Sequence, residues 1–464
     1  MSEQSEQGRF TAYLDRSPSP IFVAYAVFAA FATYFCMYAF RKPFAAAKFD
    51  GIFLFDSAIK LKTAIVVSQI VGYALSKFIG IIVCSEITPR RRAIALVLLI
   101  LVAETSLIVY GLVPDNYKIF IIFFNGLPLG MVWGLVVWYL EGRRTSELLL
   151  AGLSCSFIVA SGIVKDIGRA MMAGGVAEWW AKVPLIGAPI ASAMGEVSEG
   201  WMPALVGLHF LPLFLLSVWL LNQLPQPTEA DIEARVEREP MNRELRAAFV
   251  KKFLFGIVLL CVAYFFMTAY RDFRDNFQVE IFDALGYKYG ENKSIISKAE
   301  TIVAFGVLGA LALLNLIKDN RRGLMGAYAI MVGGLVLMTA SSILRAAGLV
   351  DGFWWMTLVG LGSYLAYVPY GSVLFDRLIA STRAVGTAVF AIYILDAIGY
   401  TGAISVLLFK DIAASKLSLF SFFEVFTYFM SILGAVCLVI SCVYFLRQDN
   451  RPTDPTSLEA PRSG

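Results

Sequence analysis

Histidine is almost missing from this chain, with one in 464 residues, and the six cysteines (Cys36, Cys84, Cys155, Cys261, Cys437 and Cys442) fall within or beside apolar stretches without metal-ligand spacing. Neither a zinc site nor a disulfide scaffold is expected. Charge is scarce too: Asp, Glu, Lys and Arg make up 16% of the chain, against about a quarter of an ordinary soluble domain. In their place stand hydrophobic residues, 58% of the total, with a mean hydropathy of +0.71. So apolar a chain belongs in a bilayer. Roughly twelve spans of about 20 residues would use about 240 positions, leaving short loops and no room for a soluble catalytic domain. The formal charge of +4 fits basic residues in cytoplasmic loops and implies no nucleic-acid partner. No metal cluster, nucleophile motif or Gly-rich phosphate loop stands out, so no enzyme, cofactor or metal is expected.

What is present is a series of apolar runs of spanning length, at about 21–40, 63–83, 93–113, 119–140, 148–170, 202–221, 253–271, 295–317, 324–345, 353–375, 385–409 and 422–446. The polar N-terminal segment has no cleavable signal pattern, so the first run is expected to stay as a transmembrane helix. The longest charged run falls after six spans and before six more. This divides the chain into an N-terminal segment (1–20), a six-helix bundle (21–221), a linker (222–252), a second six-helix bundle (253–446) and a tail (447–464).

Orientation follows from the basic residues. The termini, the linker and alternate loops, which include Arg91, Arg92, Arg143, Arg144, Arg321 and Arg322, carry about twenty Lys and Arg against about eight in the other loops, placing both termini and the linker in the cytoplasm. A location in the cell inner (plasma) membrane is expected, with the chain a monomer in the lipid bilayer. The loop at about 171–200, with Trp179 and Trp180, reads as an outside segment with interfacial anchors, or as a substrate lid. The halves share landmarks at one interval of 230 residues, Arg41 with Arg271 (271 − 41) and Arg91 with Arg321 (321 − 91). Parallel repeats of this kind place a binding site near the midplane between the bundles, with the first and seventh helices facing each other.

Charges inside spans narrow the site, because each costs about 2.5–3.5 kcal/mol at a helix centre and needs a partner, a wet cavity or a route to the interface. Tyr34, Tyr38 and Arg41 stand at i, i+4 and i+7 on one helix face, and Tyr264, Thr268 and Arg271 repeat that spacing in the second half. Two guanidiniums facing a cavity from opposite halves suit an oxyanion. The alternative is that both arginines cap their helices at the interface or pair with Asp272 or Asp275. Lys77 adds a third positive group, or snorkels. In the fifth span Lys165, Asp166 and Arg169 form a net-positive face, read either as an ion pair satisfied by a carboxylate such as Glu104 or as a contact for a second acidic group on the substrate. Glu104, Glu300, Asp396 and Glu424 are isolated acids, each a proton relay or an ion-pair partner. His209 reads as a packing histidine or a proton carrier.

Several segments resemble the organophosphate:phosphate antiporters, the glycerol-3-phosphate and hexose-phosphate exchangers of the major facilitator superfamily. Tyr38-Ala-Phe-Arg-Lys-Pro-Phe44 is similar to that family's Tyr-x-x-Arg-Lys-x-Phe. Ser76-Lys-Phe-Ile-Gly80 with Ser85-Glu-Ile-Thr-Pro-Arg90 resembles its second-span Ser-Lys-Phe-x-x-Gly and the following Ser-Asp-x-x-x-Pro-Arg, with the Gly displaced by one. Gly130-Met-Val-Trp-Gly134 is similar to its fourth-span Gly-Met-Gly-Trp, and Ala384-Val-Gly-Thr-Ala388 to its Ala-Ala-Gly-Thr-Ala. The resemblance implies that Arg41 and Arg271 grip a phosphate while Tyr38 donates a hydrogen bond and Lys77 contributes charge. Departures lie in the fifth span, which lacks the family's substrate-associated His near Ile158 and gains Lys165, Asp166 and Arg169, and in the seventh, which gains Arg274.

The sequence therefore reads as an all-α integral membrane protein of major facilitator type, twelve helices in two pseudo-symmetric six-helix bundles. Its expected function is secondary active transport of a small organic anion, phosphorylated or carboxylated, by exchange. A proton-coupled symporter and a transporter-like sensor of the same ligands are the alternatives.

Overall fold

The computed structural model describes residues 9–88, 91–140, 143, 146–175, 197–226, 243–382 and 388–447. Trp179, Trp180, Arg90, Arg144, Arg383, most of the linker and the tail beyond Arg447 lie outside the described residues. After a short helix, Arg9–Asp15, come twelve long ones: α1 (Ser19–Arg41), α2 (Leu61–Glu86), α3 (Arg92–Leu112), α4 (Lys118–Leu140), α5 (Ser146–Met172), α6 (Met202–Leu221), α7 (Arg243–Asn276), α8 (Ile295–Asn315), α9 (Asn320–Ala346), α10 (Gly352–Pro369), α11 (Ala388–Ile412) and α12 (Leu419–Arg447). Ten of them are long and apolar enough to cross a membrane. The other two are α5, which carries Lys165, Asp166 and Arg169, and α11.

Local chemistry sets several boundaries. Pro20 and Pro203 occupy the first turns of α1 and α6, where a missing N–H costs nothing. Asp319 and Asp351 cap α9 and α10 by accepting from the backbone N–H groups of Arg322 (2.7 Å) and Trp354 (2.8 Å). Pro369 cannot donate to the ladder, and α10 passes there into a π-helical turn, Tyr370–Leu374, before resuming as Phe375–Thr382. Small residues let helices approach. A Cβ on Gly72 of α2 would sit 2.3 Å from the Phe123 carbonyl oxygen of α4, and one on Gly126 would sit 2.6 Å from the Gln69 carbonyl oxygen. This close crossing holds α2 against α4. Large apolar side chains such as Phe28, Leu98, Phe124, Phe305 and Val425 face outward, as a lipid-facing belt requires.

The halves meet along two seams, α5 against α8 and α2 against α11. On the side away from the termini, the far side, these seams are polar and bolted. Asp275 of α7 takes Lys42 (2.6 Å) and Lys165 (2.9 Å) and accepts from Ser161, all three from the first half. Lys62 pairs with Glu280, and Lys48 with Asp283. In all four lysine pairs the first half supplies the cation and the second the anion. Toward the middle the α5–α8 seam turns apolar, with Ile158 in one cluster with Val303, Ala304 and Val307.

Candidate functional site

Immediately on the terminal side of that bolted layer lies a cavity of about 180 Å³, walled by both halves. Arg41, Tyr34 and Tyr38 reach it from α1, Tyr73 and Lys77 from α2, and Trp133 from α4. The second half contributes Tyr264 and Arg271 from α7, Tyr367 from α10, Tyr370, Gly371 and Ser372 from the π-helical turn, and Asp396 and Tyr400 from α11.

Arg41 and Arg271 are held differently. The Arg41 guanidinium lies 3.8 Å from the centre of the Tyr73 ring and 5.6 Å from that of Tyr38, whose hydroxyl accepts from its Nη1 at 3.4 Å. Arg271 lies 4.1 Å from the Tyr367 ring centre and donates from Nη2 to Asp272 at 2.8 Å. In each case an aromatic face holds the guanidinium by a cation–π contact worth about 0.5–2 kcal/mol. Lys77 Nζ reaches Asp396 at 2.5 Å across the α2–α11 seam, and Asp396 also accepts from the Tyr264 hydroxyl at 3.0 Å. Tyr34 packs edge-on to Trp133 with centroids 4.8 Å apart, and Tyr264 stacks on Tyr367 at 5.4 Å. The result is a small chamber with cations at its wall, phenol hydroxyls between them and aromatic faces for the body of a ligand.

Of the residues singled out from sequence, the structure brings Tyr34, Tyr38, Arg41, Lys77, Tyr264 and Arg271 together around this cavity and sets Thr268, Arg274, Lys165, Asp166 and Arg169 elsewhere. Thr268 is buried with its side chain where a Cβ on Gly399 of α11 would meet it, and does not line the cavity. Arg274 turns away from the cavity to Glu300 (2.8 Å) and to the Met356 carbonyl (3.0 Å). Lys165 is consumed by Asp275 and by Gln278 (2.7 Å). Asp166 accepts from Ser297 N–H (2.8 Å) and Oγ (2.7 Å) on α8. Arg169 contacts Asp166 at 3.4 Å and lies over the Tyr289 ring. These groups lie on the far side and away from the cavity wall, which corrects their placement as cavity residues: each buried cation among them meets a carboxylate, Lys165 across the seam and Arg169 and Arg274 within their own halves.

Arg41 is the last residue of α1 and is followed by the buried turn Pro43–Ala46. One further expectation changes. Glu104 pairs with neither Lys165 nor Arg169; it is buried beside Gly207 of α6, and its two oxygens have no hydrogen-bond partner among the described residues. Tyr73, Trp133, Tyr367, Asp396 and Tyr400 were missed as site residues. Part of the signal was there, since Tyr73 precedes Lys77, and Asp396 precedes Tyr400, by four positions, the spacing of Tyr34 and Tyr38.

The model of a family of unknown function, DUF5690, matches residues 43–191 and 183–448, most of the chain. The chain belongs to that family. No curated protein sequence matches this DUF5690 chain. Solved structures match it across nearly its whole length at low identity. The crystal structure of the D-xylose-proton symporter is 12% identical, with a TM-score of 0.59, covering 92% of this chain and 97% of the other. An inward-facing, occupied bacterial homolog of the human lysosomal transporter Spinster is 14% identical, with a TM-score of 0.57 and the same coverage. The inward-open xylose transporter from E. coli is 12% identical, with a TM-score of 0.53, covering 92% and 96%. At such identities the likeness is one of fold, the twelve-helix major facilitator fold, and the chemistry of the DUF5690 cavity has to be argued from its own residues.

Proposed function

We propose that this protein is a secondary active transporter of a small organic anion, carboxylated or phosphorylated, working by alternating access and by exchange. The observation that carries it is that Arg41 and Arg271, one from each half, line one cavity between the bundles. An anion held between them would lower the electrostatic cost of drawing the halves together, and only such differential stabilisation couples binding to movement. The motif resemblance around Arg41 and Lys77 supports the same ligand chemistry, and the neighbours of shared fold are named as transporters. The bolted far side leaves the terminal side as the route to the cavity, and the positive-inside bias supports a cytoplasmic position for that side. Proton-coupled symport is the second reading, favoured by Asp396, a carboxylate in the cavity wall.

Counterflow in proteoliposomes containing only this protein tests the proposal. Accumulation of a labelled organic acid driven by an unlabelled internal pool, unaffected by collapse of a pH gradient, is the expected result. Absence of flux from a panel of carboxylated and phosphorylated metabolites that do bind would favour a sensor, and flux that vanishes with the pH gradient would favour symport.

A further inference from the structure

Charge compensation separates the three cations of the cavity wall. Lys77 is matched by Asp396 at 2.5 Å and Arg271 by Asp272 at 2.8 Å. Arg41 has no carboxylate partner among the described residues: its guanidinium rests on tyrosines, and its Nε is buried without a hydrogen bond. Behind the wall Lys42 and Lys165 share Asp275, but neither lines the cavity, so they add attraction without offering a donor to a ligand. One fork is therefore free.

We propose, on the anion-transporter reading above, that Asp272 and Asp396 are internal counter-ions that fix the substrate's charge at one: a singly charged organic acid docks its head between Arg41, whose charge is unmatched, and Arg271, whose charge Asp272 already matches. A second anionic group has nowhere to go at low cost. At Arg271 it would meet a guanidinium whose charge is already matched by Asp272, a carboxylate with only 10% side-chain exposure that would repel it. To reach Lys77 it must break the pair with Asp396 and strip that carboxylate down to its bond from Tyr264. The singly charged head leaves both pairs intact, and the tyrosine hydroxyls and ring faces of Tyr34, Tyr38, Tyr264, Tyr367 and Tyr400 receive the rest of the molecule. Asp272 and Asp396 then act as specificity residues through the cations they neutralise, and removing either charge should change the preferred ligand charge and not merely weaken binding.

The test uses methanesulfonate and sulfate, tetrahedral oxyanions of one and two charges, titrated into the purified full-length protein at constant ionic strength with thermal stability as readout. The R41Q curve is subtracted, because sulfate stabilises folded proteins non-specifically. Methanesulfonate should half-saturate the parent at about tenfold lower concentration than sulfate, the ratio that a difference of one unsatisfied charge readily exceeds. D272N frees the Arg271 fork and should reverse the order. D396N frees Lys77 and should do the same, which keeps the proposal testable if D272N does not fold. A parent that prefers sulfate, or an order unchanged in the folded variants, overturns the charge assignment while leaving anion transport standing. No shift beyond R41Q with either anion overturns both.

Discussion

Replacing Asp275 by Asn removes one negative charge from beneath two buried cations. Lys165 is fully buried and Lys42 is 5% exposed. Each touches the carboxylate directly, at 2.9 and 2.6 Å, and Ser161 donates to it as well. An amide keeps one acceptor for them but loses the charge and turns two N–H donors toward groups that are themselves donors. Breaking a buried pair by removing one partner costs about 3–5 kcal/mol. Both lysines belong to the first half and Asp275 to the second, so the loss falls on the arrangement in which the far side is closed. At 1.4 kcal/mol per tenfold, about 3 kcal/mol shifts the ratio of closed to open states by roughly two orders of magnitude. The assay is maleimide labelling of Ile296→Cys, at a fully buried position in the first turn of α8, in a background without the native cysteines. Labelling from the far side should be slow in the parent and about a hundredfold faster in D275N. Equal labelling rates with unchanged thermal stability would refute the assignment of Asp275 as the closing group.

Gly72→Ala should destabilise the purified protein by about 1–3 kcal/mol, because the added Cβ meets the backbone of α4, which cannot yield as a side chain tip can. Gly134→Ala, where nothing lies within 4 Å of the new Cβ, should leave the melting temperature unchanged and serves as its control. Arg169→Gln should lower thermal stability through loss of its contacts with Asp166 and Tyr289, yet leave the ranking of one- and two-headed anions in a binding assay as in the parent.

The all-helical membrane fold was legible because its determinant is one-dimensional: apolar runs of spanning length survive reading along the chain. Arg41 and Arg271 were legible through their shared interval. Lys165, Asp166 and Arg169 stayed open between an ion pair and a substrate contact, and Arg274 was set at the substrate, for a physical reason. Periodicity gives the face of a helix but not the neighbour it meets, and the partners of these four (Asp275 and Gln278 for Lys165, Ser297 for Asp166, Asp166 and Tyr289 for Arg169, Glu300 for Arg274) include groups more than 100 residues away across the seam. Asp396 was visible as an unexplained acid, yet its role depends on Lys77, 319 positions earlier. The π turn at Tyr370–Leu374 has Pro369 as its one local signal, and a proline alone does not say whether a helix kinks, ends or bulges.

The central claim is that Arg41 and Arg271 together receive an anion, and counterflow of the organic acid that the parent exchanges fastest tests it most directly when measured for R41K and R271K. An ammonium keeps the charge but loses the planar fork and its stacking on Tyr73 or Tyr367. Each Lys variant should fold as the parent does and lose at least about tenfold in transport, with R41K the more severely affected. Two folded Lys variants that exchange the acid at the parent's rate would contradict the account.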